Sequence, residues 1–510
     1  MSTISIAALV SLFNLGVCYF RSFVFPDIPL LPWGDAVGFL NNGNRIVAGR
    51  LPYRDYFAFL PPGTELTYAS VIRVFGARSW IPDLMIACLA ASAAWLMTLI
   101  AAQLMRGAVI ALPGLLLAGF VLPGSLDATH HWFSTIAVMA AVLVLLHGDS
   151  FPNIATAGFL CGMAGWYTQT KGIAAVAGFM AYLILKNRVL KSRGDRIPTR
   201  DLWLKCILLS TLTLAVFVVG NAYFIRAAGL SRWFYCLVVY PLRYYPSVRL
   251  NNWHVYGEGF EKIGISRVPF LFVDLCVPLV YVICLVVMHR QSKAEPNEAW
   301  NKILLLSLAG IAMFLAVISA PSWKRLSISS PPAMILLTWL LDRPRRTLAK
   351  FRIALGAAGV VFALAGAARN QIRWTASLDL RTGRTAFIDS ARYEEYRYTM
   401  ERTCRGQFMF GTPPILFALQ VQNPAPIDVF VPFEYTRPEQ VTATIEALEK
   451  NKVSLLMLHA SMLTDPDANP VSDHLGPIRA YLAGNYRLAV AFRTGDELWE
   501  RIGTTAPCAE

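Results

Sequence analysis

Long apolar runs with few charges recur through the first 370 or so residues, at Ile4 to Phe25, Ile81 to Met105, Leu204 to Ile225, Pro269 to Met288 and Ile303 to Ala320. Each is close to the roughly 20 residues a helix needs to cross a bilayer. Shorter apolar pieces lie at Val109 to Val121, Phe133 to Leu146, Ile154 to Tyr167, Ile173 to Leu185, Leu326 to Leu341 and Ile353 to Ala368. They make sense as further spans packed among the long ones, which gives about eleven transmembrane helices. The first run is expected to stay as helix one, because it lacks a basic leader, carries Arg21 and shows no small-residue cleavage site before the polar loop. From Arg369 the pattern changes. Short apolar runs (Gln407 to Phe410, Ile427 to Val431, Val453 to Leu458, Leu488 to Phe492) alternate with helical stretches at Pro438 to Lys450 and His474 to Leu482. The pattern predicts a polytopic α-helical membrane domain over 1–368 and a small soluble α/β domain over 369–510.

Composition agrees with this setting: 55% of residues are hydrophobic and 15% charged, against about 25% charged in soluble proteins. Lys and Arg collect in three short loops, Lys186 to Arg200, His289 to Lys302 and Arg343 to Arg352, and cytoplasmic loops hold such residues in excess. That bias predicts a cytoplasmic N-terminus. It puts outside the first loop 26–79, segments 123–132, 168–171, 226–267 and 321–325, and the C-terminal region from Arg369. The net charge of +14 is therefore largely a topology signal and calls for no nucleic acid. Against the bias, the outer segments also carry Arg45, Arg50, Arg54, Lys171, Arg226, Arg243, Arg249, Lys324 and Arg325. Basic residues there fit bound anions, either membrane lipid headgroups or a lipid-linked phosphate.

The first outer loop carries the densest chemistry. A charge placed beside membrane-grade apolar runs is a site hypothesis by default. Phe39, Leu40, Ile46 and Val47, with Asn41, Asn42, Asn44 and Arg45 between them, read as a short interfacial helix ended by Gly49. Asp35 precedes it, where the carboxylate can cap free backbone N–H groups or stand ready for catalysis. Pro61-Pro62 breaks the chain, and Thr64 to Phe75 resumes as a second interfacial helix closed by Gly76.

An early Asp, an interfacial helix ending in Gly, Pro52-Tyr-Arg-Asp-Tyr, then Pro61-Pro-Gly and a helix ending Val74-Phe-Gly76 together resemble membrane glycosyltransferases of the GT-C fold. The likeness is to the family 39, protein O-mannosyltransferase and aminoarabinose-transferase types. His130-His-Trp-Phe-Ser134, Gln169-Thr-Lys-Gly172 and Pro331-Pro332 agree with that branch. The resemblance implies a protein of the bacterial inner membrane with a periplasmic C-terminal domain, transferring a sugar from a polyprenyl-phosphate donor to a hydroxyl on a glycan, lipid or protein at the periplasmic face. It makes Asp35 the general base toward the acceptor. Many relatives carry two consecutive acids where this chain has Asp35-Ala36, so Asp55 becomes the candidate for the second role, with an ion pair to an arginine as its structural alternative. Relatives also place Lys or His where Leu60 stands before the prolines. The cations for a leaving lipid phosphate then come from Arg54, Lys171, Arg243, Lys324 and Arg325.

His130 and His131 open a span beside Asp127, but adjacent histidines on a helix start point apart, so they read as cavity-lining hydrogen-bond groups and not as metal ligands. Tyr244 and Tyr245, around Arg243, read as an aromatic interface belt or a wall for sugar stacking. No cofactor is predicted, and the spacing leaves divalent metal dependence open. Seven of the nine cysteines lie in or near apolar runs as small hydrophobes. Cys404 and Cys508 fall in the outer region and are candidates to pair. A lipid-linked glycan transporter, flippase or polymerase is the alternative class. A transporter is expected to show internal repeats with charged broken helices near the midplane, and a polymerase one large late outer loop; the acids here come early.

Overall fold

The computed structural model describes residues 1–192, 198–258, 264, 267–292, 299–343, 348–463 and 473–503. Cys508 lies outside the described residues, and Cys404 is engaged in a disulfide.

Helix α1 (Thr3–Ser22) is capped by the Ser2 hydroxyl, which accepts from the Ser5 N–H. It packs along α4 (Ile81–Ala102). Between them the chain forms a two-stranded hairpin, β1 (Phe23–Val24) and β2 (Ile28–Pro29), then helices α2 (Asp35–Val47) and α3 (Gly63–Phe75). Among the described residues, six helices are long and apolar enough to cross a membrane: α1, α4, Gly107–Gly124, Thr199–Ala228, Val268–Met288 and Ala349–Arg373. Shorter apolar helices stand among them at His130–Leu146, Trp300–Leu315 and Pro331–Asp342. The expected count of about eleven is not reached by this measure. Seventeen helical residues rise only about 25 Å, short of a bilayer core of about 30 Å. The piece expected over Val109 to Val121 is an interrupted helix. Pro113 and Pro123 break it into successive tight and wide turns, as residues lacking an N–H do. It lies against Ala349–Arg373 at a glycine contact so close that a Cβ on Gly119 would fall 2.2 Å from the Gly359 carbonyl oxygen. Small residues of this kind let helix backbones approach where lipid offers no hydrophobic drive.

After Ala349–Arg373 a hairpin not expected from the pattern, β3 (Ala376–Leu380) and β4 (Gly383–Phe387), turns back toward the first loop. Ala386 bridges to Leu30. Next come β5 (Met409–Phe410), β6 (Leu455–His459), β7 (Tyr486–Ala491) and β8 (Asp496–Arg501), in the order β5-β6-β8-β7. β5 and β6 are parallel and the rest antiparallel. Helices Pro438–Lys450 and Gly476–Asn485 match the two expected stretches. The run Ile427 to Val431 is not a strand, because its backbone is claimed locally. Asn423 Nδ2 donates to the Ile427 carbonyl at 2.7 Å and the Val431 N–H donates to Thr436 Oγ1 at 2.8 Å. Apolar side chains pack on both faces of the sheet. Phe57 joins one of these clusters and Leu31 the other, so the region rests on the first loop.

Candidate functional site at the start of the first interfacial helix

Asp35 is the first residue of α2, but it does not cap the helix. Gly34, with φ of +84°, turns the chain into it. The free N–H groups of Asp35 and Ala36 donate instead to Asp127, at 3.1 and 2.8 Å. A helix N-terminus offers such donors and a partial positive charge, which together favour an anion. Only glycine fits at 34, since a Cβ there would lie 2.7 Å from Asp127 Oδ2. Capping from a distant loop leaves the Asp35 carboxylate free to project, and its side chain is 64% exposed. Lys324 Nζ donates to Asp35 Oδ2 at 3.0 Å and also engages Asp127. Lys324 stands at the start of helix Trp323–Ser329, whose cap is the Ser322 hydroxyl.

The three charges shift one another. Enclosure opposes ionisation of Asp35, but the Lys324 ammonium, with His130 and Arg325 beyond it, holds its carboxyl below the usual range. Asp127 is pushed up, chiefly by burial and then by the Asp35 charge, against the pull of Lys324. Lys324 is raised, the two carboxylates outweighing its burial. Asp35 is therefore an accessible, ionised carboxylate at neutral pH, held by one cation and backed by a second acid. Such a group can accept a proton from an attacking hydroxyl.

The surrounding residues fall into two sets. His130 and His131 open helix His130–Leu146 with ring centroids 3.9 Å apart, and Nδ1 of each is buried without a partner. Lys171 is buried behind them, donating to the His131 carbonyl at 3.0 Å and to Thr135 Oγ1 at 2.8 Å. Arg325 donates to the Ala320 carbonyl, to the Tyr245 hydroxyl at 2.6 Å and to Asn251 Oδ1 at 3.3 Å. Tyr245 lies 5.0 Å from Phe59 and 6.0 Å from Tyr435 between ring centroids, forming an aromatic wall. Of this set, His130, Arg325, Tyr245 and Tyr435 stand within electrostatic reach of Asp35.

The other set does not. Asp55 is bound bidentately by Arg54 at 2.9 and 2.7 Å and accepts the Leu51 N–H at 2.7 Å. Both residues line a separate open cleft with Phe408 and Gln422. The ion-pair alternative for Asp55 thus describes its position, and Asp127 stands beside Asp35 where a second acid was sought. Arg243 is exposed, 5.4 Å from the Tyr244 ring, and Tyr244 in turn lies under Arg437 at 4.1 Å. Among the described residues no group of three His, Cys, Asp or Glu side chains is placed to hold a metal ion.

Sequence reasoning left Asp127 and Tyr435 out of the site, and it missed a second charge network on the same loop. Glu65 is fully buried, accepting from Asn42 Nδ2 at 2.8 Å and from the Tyr56 hydroxyl at 2.7 Å. Burial pushes its carboxyl up to about 7. Beside it Arg45 pairs with Asp428, one of its bonds measuring 3.0 Å, and Asn423 donates to the same carboxylate at 2.7 Å. The Leu126-Asp-Ala-Thr-His-His131 run just before an apolar helix was the available signal for Asp127.

No protein-family model matches the chain, and none of the curated proteins matches it. Solved structures do. The chain is similar to ArnT from Cupriavidus metallidurans bound to undecaprenyl phosphate, with a TM-score of 0.61 and 13% identity over 98% of this chain and 99% of that one. The apo state of ArnT gives 0.55 and 14% over 96% and 97%. The archaeal oligosaccharyltransferase AglB from Archaeoglobus fulgidus, in complex with an inhibitory peptide and a dolichol-phosphate, gives 0.55 and 11% over 91% and 70%. At these identities it is the fold that is shared: the chain has the GT-C fold of ArnT and AglB, nearly end to end in the case of ArnT.

Proposed function

We propose that this protein is a membrane glycosyltransferase that moves a sugar from a polyprenyl-phosphate donor to an acceptor hydroxyl at the outer face of the membrane. The observation that carries the reading is the accessible Asp35 carboxylate, held by Lys324 and set on a helix start that Asp127 caps. Its support from the comparisons is that ArnT binds undecaprenyl phosphate and AglB a dolichol-phosphate on the same fold. In the reaction the acceptor O–H passes its proton to Asp35 as its oxygen bonds to the anomeric carbon. The anomeric C–O bond breaks with its electron pair on the lipid phosphate. Arg325, presented beside Tyr245, meets the phosphate charge, while Lys171 and the His130–His131 pair set the field behind it. Stabilising charge where it develops is the largest single contribution in many enzymes.

The outer location has structural support. Lys186 and Lys205 both reach Asp149 at 3.1 and 3.2 Å, and Lys302 donates to the Gln103 carbonyl at 3.2 Å. Asp149 follows the end of helix His130–Leu146, whose start carries the site. The basic loops therefore gather at helix ends opposite Asp35, and the positive-inside tendency puts Asp35 outside.

The test uses the full chain in lipid nanodiscs with radiolabelled polyprenyl-phosphate sugar and a cell-envelope extract as acceptor pool. Label is expected to move from the donor into the extract, and Arg325→Gln is expected to slow that transfer by about 10². An intact donor after prolonged incubation with wild-type protein would end the transferase reading.

A further inference from the structure

Two acids at the start of α2 share one cation. Lys324 Nζ donates to Asp35 Oδ2 at 3.0 Å and to Asp127 Oδ2 as well. In their other contacts the two carboxylates differ. Asp127 is almost fully buried and also accepts the N–H groups of Asp35 and Ala36, at 3.1 and 2.8 Å. Among the described residues Lys324 is the only hydrogen-bond donor to the exposed Asp35 carboxylate. An ammonium carries three N–H groups. Two are spent on the acids, and the third is left for a group that approaches Asp35.

The spacing of acid and lysine is set by packing. Lys324 is the second residue of helix Trp323–Ser329, and Trp323 before it packs edge-on against Phe270 with ring centroids 4.9 Å apart. The same indole covers Gly124, where a Cβ would lie 2.6 Å from Trp323 Cε3 and 3.0 Å from Ser327 Oγ. Gly124 stands three positions before Asp127, and the Asp127 N–H donates to the Ser125 carbonyl at 2.8 Å. The close approach at glycine therefore seats the segment that carries Asp127 against the helix that carries Lys324.

Two carboxylate oxygens bonded to one nitrogen lie nearly as far apart as two oxygens bonded to one divalent ion, whose metal–oxygen bonds run from about 2.0 to 2.6 Å. An ion between paired acids orients reacting groups and neutralises charge. A fixed ammonium brings charge to the same place as part of the chain. Among the described residues, no third His, Cys, Asp or Glu side chain completes a metal's ligand set there.

We propose that Lys324 is a built-in replacement for a divalent ion. It joins Asp35 to Asp127 as a metal would, so that sugar transfer runs without added metal, and its removal turns the acid pair into a divalent-cation site. Lys324 is in this sense a positioning residue that acts through Asp35. Only the catalytic half of the assignment rests on the transferase reading, because the exchange of cations is measurable without any sugar.

The experiment takes two readings on the detergent-solubilised full chain. In the first, Mn²⁺ is titrated and the bound ion is followed by electron paramagnetic resonance. Lys324→Ala is expected to gain one site over wild type, and Lys324→Ala combined with Asp127→Asn to lose it again. Lys324→Met, which keeps an apolar stem without the charge, makes the same comparison if the alanine variant does not fold. In the second reading, labelled donor is supplied with a chelator or with Mn²⁺. Wild-type transfer is expected to be unchanged by chelation. Lys324→Ala is expected to fall by about 10² and to recover at least about tenfold in millimolar Mn²⁺, whereas Lys324→Arg, still cationic, should gain nothing from the metal. Equal Mn²⁺ binding by wild type and the two uncharged variants would overturn the proposal, and so would loss of wild-type transfer on chelation. Donor left intact by wild type under every condition would instead strike the transferase reading, while the Mn²⁺ comparison would still decide what Lys324 replaces.

Discussion

One loop of some fifty residues carries two charge clusters built from the same side-chain types, and they differ in how fully they are satisfied. Around Glu65 and Arg45 every strong group is buried and engaged: Glu65 by Asn42 and Tyr56, Arg45 by Asp428, and Asp428 also by Asn423. Around Asp35 the partners are fewer, and the carboxylate keeps open capacity toward solvent. The first cluster fastens α2 and α3 to the segment Asn423 to Asp428. The second holds one acid in place without using it up. A saturated network is what stability requires, and an unsaturated, oriented one is what chemistry requires.

Substitutions that exchange these properties should separate the two. Asp127→Ala removes the remote cap and the counter-charge under Lys324, and is expected to lower sugar transfer by 10² or more (about 3 kcal/mol of barrier), read as kcat in the labelled-donor assay. Asp428→Ala leaves Arg45 buried without its counter-charge, with Asn42 Oδ1 at 3.2 Å as a remaining partner, and breaking a buried pair in this way costs about 3 to 5 kcal/mol in comparable sites. Its thermal midpoint should fall well below wild type while the residual folded protein keeps its rate per molecule. A midpoint within a degree of wild type would mean that the Arg45 network holds nothing.

The pH dependence follows from Glu65. Its folded carboxyl titrates near 7 against 4.5 unfolded, so the folded state binds the extra proton between those values. Stability is then greatest below about 4.5 as far as this group is concerned, and it declines as pH rises through 7, by roughly 3 kcal/mol in all. Glu65→Gln should flatten that slope in denaturation series from pH 5 to 8, and an unchanged slope would assign it elsewhere. The smallest effect belongs to Arg54→Ala: an exposed partner of Asp55, outside the site, should leave both transfer rate and midpoint where they are. A large loss of transfer would bring Arg54 back as a phosphate ligand.

Much of this was legible in the chain, for definite reasons. The apolar runs fix a helical membrane protein because only self-satisfied backbone crosses lipid. Asp35 stood out because an acid beside such runs is costly without a use. What the pattern did not carry is the pairing of distant segments. Asp127 takes the cap of α2 from 92 positions away, so the local pattern offered Asp35 as a cap, and the resemblance offered Asp55 as the second acid. Arg54 claims Asp55 through adjacency alone. The β3–β4 hairpin escaped notice because it is half exposed and short, and Ile427 to Val431 looked like a strand although Asn423 and Thr436 take its hydrogen bonds. The helix count is the least legible part, because a hydropathy window scores short apolar runs as it scores long ones, and length and composition together single out six helices among the described residues.

The most direct test of the central claim is the initial rate of label transfer from polyprenyl-phosphate sugar by wild type and Asp35→Asn, with donor affinity measured on the same preparations. Equal donor affinity with transfer reduced by 10² to 10⁴ is the predicted result. A near-native rate in Asp35→Asn would contradict the account, because no other accessible carboxylate stands at the Lys324 ammonium among the described residues.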